Sequence, residues 1–471
     1  PTAGLPSQIY NIRYIGGTMS KKAKYGMLGA VILAMVVAAV VCFFSFRGGR
    51  YVSSLPADMQ AVARVDARTL QEKIALPIAK QQQSELEHSG IDFNHPLYAF
   101  VDGHDSPGVL LPLRSAGDFK AYLQGMGIEV QKQRGYSWAQ SGQWLMAFSD
   151  DRCLVRGPLS EQEMGPMRGQ MVSLMKQSGK PDNPLLQHID DSKAPVCASF
   201  SVRLVQHLLV RFVPEASVVF HGEQTGTVGM DVDFKDKRIA TDVTLYGTGA
   251  GEGKSFLVPL DEPATLPESA DGACVLTMGV NGEALLTLLR SYPVVRTALL
   301  ALNFTFDLDQ MIRAIQGDVN LSVVNDGSES PQIALAARFK DTHFRQSLGE
   351  LTQYFYPISD GGVEVLDDST FCVGLSGDYL YAGLRGNRLA ACTDQTFGKS
   401  VVRDMEEGHF VSKKDAVGSL VYMQLDLAAV LRHPRAHTFW ARYGVDSDSV
   451  VGRYDKLVLR VKADEKAATT E

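Results

Sequence analysis

Acidic side chains are missing from the first fifty residues, which hold six basic ones: Arg13, Lys21, Lys22, Lys24, Arg47 and Arg50. All 53 Asp and Glu therefore fall in residues 51–471, against 46 − 6 = 40 Lys and Arg, a net charge of −13 there. A surface of that sign repels a phosphate backbone, which argues against nucleic acid as a partner. A disulfide framework is missing too. Outside the first fifty residues, Cys153, Cys197, Cys274, Cys372 and Cys392 are odd in number, form no C-x-x-C and each lie in an apolar or alternating run. They read as buried free thiols.

The usual catalytic signatures are absent as well. No G-x-S-x-G elbow or H-E-x-x-H occurs. Gly253-Lys254-Ser255 resembles the end of a phosphate loop, but Thr248 stands where its first glycine belongs, and Pro259 and Pro263 follow where a helix should start. His433 and His437 are spaced to share a metal on a helix, yet Pro434 lies between them and no third ligand is near in sequence. Asp231/Asp233 and Asp307/Asp309 lack the Gly and Glu of a calcium loop. No catalytic, cofactor-binding or metal-ligating residue is assigned, and an enzyme is the less favoured reading.

What is present begins with an uncharged run from Met27 to Phe44, MLGAVILAMVVAAVVCFF. At ~1.5 Å of rise per residue, residues 26–46 just span a ~30 Å hydrocarbon core, which predicts a transmembrane helix there. The run exceeds a signal-peptide core and no A-x-A precedes its exit, so an uncleaved anchor is favoured over a cleaved signal. Val41 before Cys42 argues against lipid attachment. Four basic residues before the run against two after it place residues 1–25 in the cytoplasm and the bulk of the chain in the periplasm of a bacterial inner membrane. Ile15-Gly16-Gly17 can be encoded around a ribosome-binding sequence just before Met19, so residues 1–18 read either as leader upstream of the true start or as a short tail. Gly26, Ala30, Ala34 and Ala38 form a small-residue ladder that would let this helix approach another, in a homo-oligomer or with a protein partner.

The rest reads as two copies of one unit. Leu55–Leu70 parallels Leu266–Leu285, Val101–Leu123 parallels Val324–Leu348, and Gln140–Val155 parallels Leu375–Ala391. The matches Asp66/Asn281, Asp102/Asp326 and Ser141/Ser376 fall in one order at offsets of 215, 224 and 235. Asp102-Gly103 and Ser141-Gly142 read as turns, with glycine taking the positive φ. Phe119, Tyr122, Leu123 and Met126 form a helical stripe, matched by Phe344, Leu348 and Leu351. Asp66, Ser201, Asn281 and Asp426 each stand where an apolar strand passes into an amphipathic helix, the position of an N-cap. The expected fold is α+β: a single N-terminal transmembrane helix, then two tandem, internally duplicated α+β domains with largely antiparallel sheets, at 52–258 and 266–466, joined by a Gly/Pro-rich linker at 259–265.

A helix opened by the capping box Ser160–Glu163 carries Met164, Met167, Met171 and Met175. Core filling and an adaptable partner surface are the two readings of this stripe, and its counterpart after Thr393 reads as much shorter.

Pro56, Asp58, Val62, Val65 and Asp66, echoed by Pro267, Asp271, Val275, Val280 and Asn281, complete a layout of basic start, single anchor and duplicated ectodomain. It resembles a domain-of-unknown-function family of membrane-anchored bacterial envelope proteins found chiefly in the Bacteroidetes. That resemblance implies a shared fold and place over residues 50–470 and transfers no catalytic residue. It also makes Asp368-Ser369-Thr370 and Asp448-Ser449-Val450 candidates for O-glycosylation. The expected function is protein or ligand binding and scaffolding by an envelope protein; the alternative is a hydrolase-like periplasmic enzyme with its site between the copies.

Overall fold

The computed structural model describes residues 50–74, 88–212, 226–247, 255–303, 307–324, 332–341, 363–367, 370–375, 378–431 and 452–464. The first half holds strands β1 (Ala61–Val65), β2 (Leu97–Val101), β3 (Pro107–Pro112), β4 (Val130–Gln133), β5 (Tyr136–Ser141), β6 (Trp144–Phe148), β7 (Arg152–Arg156), β8 (Val196–Ser201), β9 (Thr227–Lys235) and β10 (Arg238–Tyr246). Its helices are α1 (Ala67–Ile74), α2 (Ala116–Gly125), α3 (Glu161–Lys176), α4 (Leu185–Asp191) and α5 (Val202–Phe212). In the second half come β11 (Ala264–Pro267), β12 (Cys274–Asn281), β13 (Ile315–Val324), β14 (Gln332–Phe339), β15 (Val363–Asp367), β16 (Thr370–Leu375), β17 (Asp378–Arg385), β18 (Arg388–Cys392), β19 (Phe410–Lys413), β20 (Val421–Asp426) and β21 (Lys456–Asp464). Its helices are α6 (Gly282–Ser291), α7 (Pro293–Asn303), α8 (Leu308–Ala314), α9 (Gln395–Glu407) and α10 (Leu427–Leu431). The class is α+β with mostly antiparallel strands, as expected.

Nineteen strands form one sheet, and β11 pairs with β19 in a small second one. The pairings give the order β4-β5-β6-β7-β3-β2-β1-β8-β9-β10-β21-β20-β12-β13-β14-β18-β17-β16-β15. Neighbours pair antiparallel except β10 and β21, which run parallel over nine residue pairs from Arg238/Lys456 to Tyr246/Asp464.

Alternation sends successive side chains to opposite faces. Leu110, Leu145 and Leu154 pack with Met167, Met171 and Met175 of α3 on one face, while Leu111, Phe148 and Cys153 pack with Phe119 and Leu123 of α2 on the other. Of the predicted α2 stripe, Met126 is the member that escapes burial, lying at the helix C-cap and 54% exposed. A third core mixes the halves: Val65, Leu70, Val232 and Phe234 pack with Met423, Leu425, Leu457 and Leu459. The segment expected to be a linker is bound in, because Leu260 and Ala264 are buried and the Leu260 amide donates to the Ser419 carbonyl.

All four strand-to-helix junctions are N-caps. Asp66 accepts from the Thr69 amide at 2.9 Å, Ser201 from Leu204 at 3.2 Å, Asn281 from Glu283 at 3.1 Å and Asp426 from Ala429 at 2.9 Å. Each satisfies an amide the first helical turn leaves without a partner. The turn at Asp102 differs from expectation: the positive φ, 57°, falls on Asp105, while Gly103 lies close against Asp58, a Cβ there coming to 2.9 Å from its carboxylate. Helix α9 has 13 residues against 16 in α3, so the expected marked shortening after Thr393 is not found.

Residues 26–46, with Gly26, Ala30, Ala34 and Ala38, lie outside the described residues, as do Asp326 and Ser376. Among the described residues no helix is long and apolar enough to cross a membrane.

Between the halves, Arg460 grips Asp242 with two hydrogen bonds of 2.5 and 2.6 Å; within the first half, Lys73 of α1 donates to Asp233 of β9 at 2.6 Å. Burial raises the Asp233 pKa, but hydrogen bonds from Lys235, Lys73 and the Phe234 amide outweigh it and leave the carboxyl below its ordinary 3.8. Within the window between the lowered value and 3.8 the unfolded chain binds more protons, so this contribution to stability is present above 3.8 and lost as pH falls through the window. Urea midpoints taken downward from pH 5 should therefore fall less steeply for Asp233→Asn than for the wild type; parallel curves would contradict the assignment.

Candidate functional site

The register between β13 and β14 breaks between Ile315 and Val319: Ile315 faces Phe339, whereas Val319 faces Ala337, so two extra residues bulge from β13. Gly317 takes φ +104° in this bulge, and a Cβ there would run into the Arg338 guanidinium. Bulges of this kind re-aim side chains and concentrate near functional sites. Beside it opens a cleft of about 720 Å³, whose lining includes Val258, Asn281, Glu283, Arg313, Gln316 and Lys340. Its size is that of a small-molecule site.

Each wall has a local cause. Asn281 caps α6, so its side-chain oxygen is taken up by the Glu283 and Ala284 amides. Gly282 lets the first turn of α6 rest on the Ile312 carbonyl, where any Cβ would clash. Arg313, in the last turn of α8, reaches Glu283 at 3.2 Å across the cleft, both side chains remaining about half exposed or more. Lys340 follows β14, its amide bonded to the Ala314 carbonyl at 2.7 Å. The lining thus carries both charge signs, with Asp261, Glu283 and Asp341 set against Arg313 and Lys340. It can hold polar or zwitterionic groups through solvent-facing charges.

Under the bulge lies a buried polar cluster. The Arg338 Nε lies 2.9 Å from Asp318 Oδ1, the Asn320 side-chain amide donates to Asp318 Oδ2 at 3.0 Å, and the Thr265 amide donates to the same oxygen at 3.3 Å. Arg388 lies 3.8 Å from that carboxylate and stacks over the Phe410 ring with 5.2 Å to the centroid. Burial lowers the Arg388 pKa, with Asp318 pulling it back and Arg338 adding to the fall, but a guanidinium keeps its charge throughout the physiological range. Arg338 also donates to Glu262 at 2.6 Å, and the Thr277 hydroxyl donates to Asn320 at 2.6 Å. Both Asp318 oxygens are engaged, so the carboxylate braces the bulge.

In the other half Arg156 forms a buried ion pair with Asp102, the guanidinium lying 5.1 Å from the centre of the Phe100 ring. Of the methionine stripe, Met167, Met171 and Met175 are buried and Met164 packs against the same core, so the described fold uses all four as core filling and offers no open methionine groove. Of the five thiols expected to be buried, Cys274 and Cys372 are partly exposed. Cys153, Cys197 and Cys392 are buried, and burial pushes Cys197 up to about 11 and Cys392 up to about 12, far from the thiolate a nucleophile needs. Among the described residues no three His, Cys, Asp or Glu are grouped to hold a metal. Sequence spacing did not reveal the cleft, because its walls come from segments up to 83 residues apart, Val258 to Asp341, and a bulge leaves no motif.

No protein-family model matches the chain. No curated protein matches it either. Among solved structures, crystal form IV of TP0453 shares 10% identity over 43% of this chain and 81% of that one, with a TM-score of 0.29. Crystal form I shares 9% over 40% and 73%, with a TM-score of 0.26, and crystal form III shares 7% over 76% and 98%, also with a TM-score of 0.26. These are distant likenesses.

Proposed function

We propose that the chain is a single-pass envelope protein of a bacterial inner membrane, held by residues 26–46, whose duplicated periplasmic α+β body binds a protein or small polar ligand and scaffolds it without doing chemistry. The observation that carries the binding reading is the cleft at the β13 bulge, walled by solvent-facing charges of both signs and braced from beneath by Asp318, Arg338 and Arg388. Support for the duplication comes from strand order. Outward from β10 run β9, β8, β1, β2, β3, β7, β6, β5 and β4; outward from β21 itself run β21, β20, β12, β13, β14, β18, β17, β16 and β15. Position by position these match in chain order. The capped junctions match too, Asp66 after β1 with Asn281 after β12, and Ser201 after β8 with Asp426 after β20. Domains at 52–258 and 266–466 joined through 259–265, and kinship with the envelope family, belong to the same proposal.

Against the enzyme reading stands the seam itself, which is a closed ladder of backbone pairs where that reading needs a cleft. The test is purification of the full chain from intact bacterial membranes, side by side with Arg313→Glu/Lys340→Glu. A companion molecule lost selectively from the variant supports binding at the cleft, while equal recovery from both moves the binding site elsewhere.

A further inference from the structure

Directly after the proposed anchor the chain plunges into the fold. Tyr51, Val52, Ser53, Ser54, Leu55 and Pro56 are six consecutive buried residues. Tyr51 donates to the Pro96 carbonyl and its ring lies 6.2 Å from that of Tyr98. The Ser53 hydroxyl donates to the Gln177 carbonyl at 2.8 Å, and Arg152 donates to the Ser53 and Ser54 hydroxyls, each at 3.0 Å. Val52 and Leu55 join the core beneath α3. Tyr51 is therefore fixed to the body as firmly as any core residue.

Only Arg47, Gly48, Gly49 and Arg50 separate Phe46 from Tyr51. Even fully extended, the five steps from Phe46 to Tyr51 reach no more than about 18 Å. A flexible stalk of the kind that lets an ectodomain tumble above a membrane has no room here. Resting on the anchor reading, we infer that one end of the first half, the end holding Pro96, the β6-β7 loop at Asp150 and Arg152, is mounted against the lipid headgroup layer. The opposite end of the same strands, with the β5-β6 turn at Gln143, then faces away. Arg47 and Arg50 suit the headgroup level, where basic side chains meet anionic phosphates. The partner of this surface is the bilayer itself.

Asp150 and Gln143 are both exposed and sit just beyond opposite ends of β6, whose own length is roughly 14 Å. The experiment places a fluorophore on Asp150→Cys or Gln143→Cys of the full chain, with Cys42, Cys274 and Cys372 replaced by alanine. The chain is reconstituted in phosphatidylethanolamine–phosphatidylglycerol vesicles carrying nitroxide-labelled headgroups. Quenching should be roughly twofold or more greater at position 150, given that length of strand between them. An insertion of about ten Gly and Ser residues between Gly49 and Arg50 should erase the difference, because such a linker is a flexible coil. Equal quenching, or more at 143, in a chain that floats with the vesicles overturns the mounting alone. A chain that fails to float overturns the anchor and the mounting with it.

Discussion

A chain that begins at Ala57 is expected to lose its native fold, while one that begins at Arg50 keeps it. Tyr51, Val52 and Leu55 are 4%, 7% and 0% exposed, although they stand at the edge of the described chain, next to a run that sequence assigns to a membrane. Burying each such side chain contributes about 1.5–3 kcal/mol. Three together reach at least ~5 kcal/mol, which equals the whole stability of many domains. Their removal also strips Arg152 of two hydroxyl acceptors and leaves the Pro96 carbonyl without its phenol donor. Burial pushes the Tyr51 phenol far above its ordinary range, so it serves as a donor at every accessible pH. Thermal and urea unfolding of the two forms, both made without residues 1–49, decides the matter. Coincident transitions would mean that the segment is ornamental.

Arg156→Met is expected to destabilise by about 3–5 kcal/mol, the usual cost of stranding one buried charge by removing its partner. Arg156 is 1% exposed, paired with Asp102 and lying over Phe100. In the double variant Asp102→Asn/Arg156→Met the stranded charge is gone, and the introduced asparagine keeps an oxygen for the His104 and Ser106 amides that Asp102 accepts at 3.0 Å each. The double change should thus cost less than the sum of the single ones, by about 1–3 kcal/mol of coupling. Urea midpoints of the four proteins measure it. Strict additivity would show that the two charges do not sense each other.

Local chemistry was legible in the sequence where one residue suffices to specify it. Asp66, Ser201, Asn281 and Asp426 cap helices because a short polar side chain after a strand can reach amides two or three residues on, and no distant partner is needed. Three of the cysteines, Cys153, Cys197 and Cys392, behaved likewise, a small apolar side chain in an alternating run being readily buried, while Cys274 and Cys372 stay partly exposed. The methionine stripe, Met164 to Met175, announced an apolar helix face, but only packing against β6 and β7 made it core and not a groove.

Tertiary structure alone decided which face of β13 points inward. Asp318, Asn320 and Ser322 alternate with Val319, Leu321 and Val323, a pattern that on its own turns the polar set to water. The fold does the reverse: Asp318 and Asn320 are 1% and 2% exposed, Ser322 is buried too, and Leu321 is 38% exposed. The inversion is possible because Arg338, Arg388, Thr265 and Thr277 arrive from four other strands to pair with Asp318 and Asn320. No window of neighbouring residues contains that compensation, so long-range hydrogen bonding determined which side of β13 faces the interior.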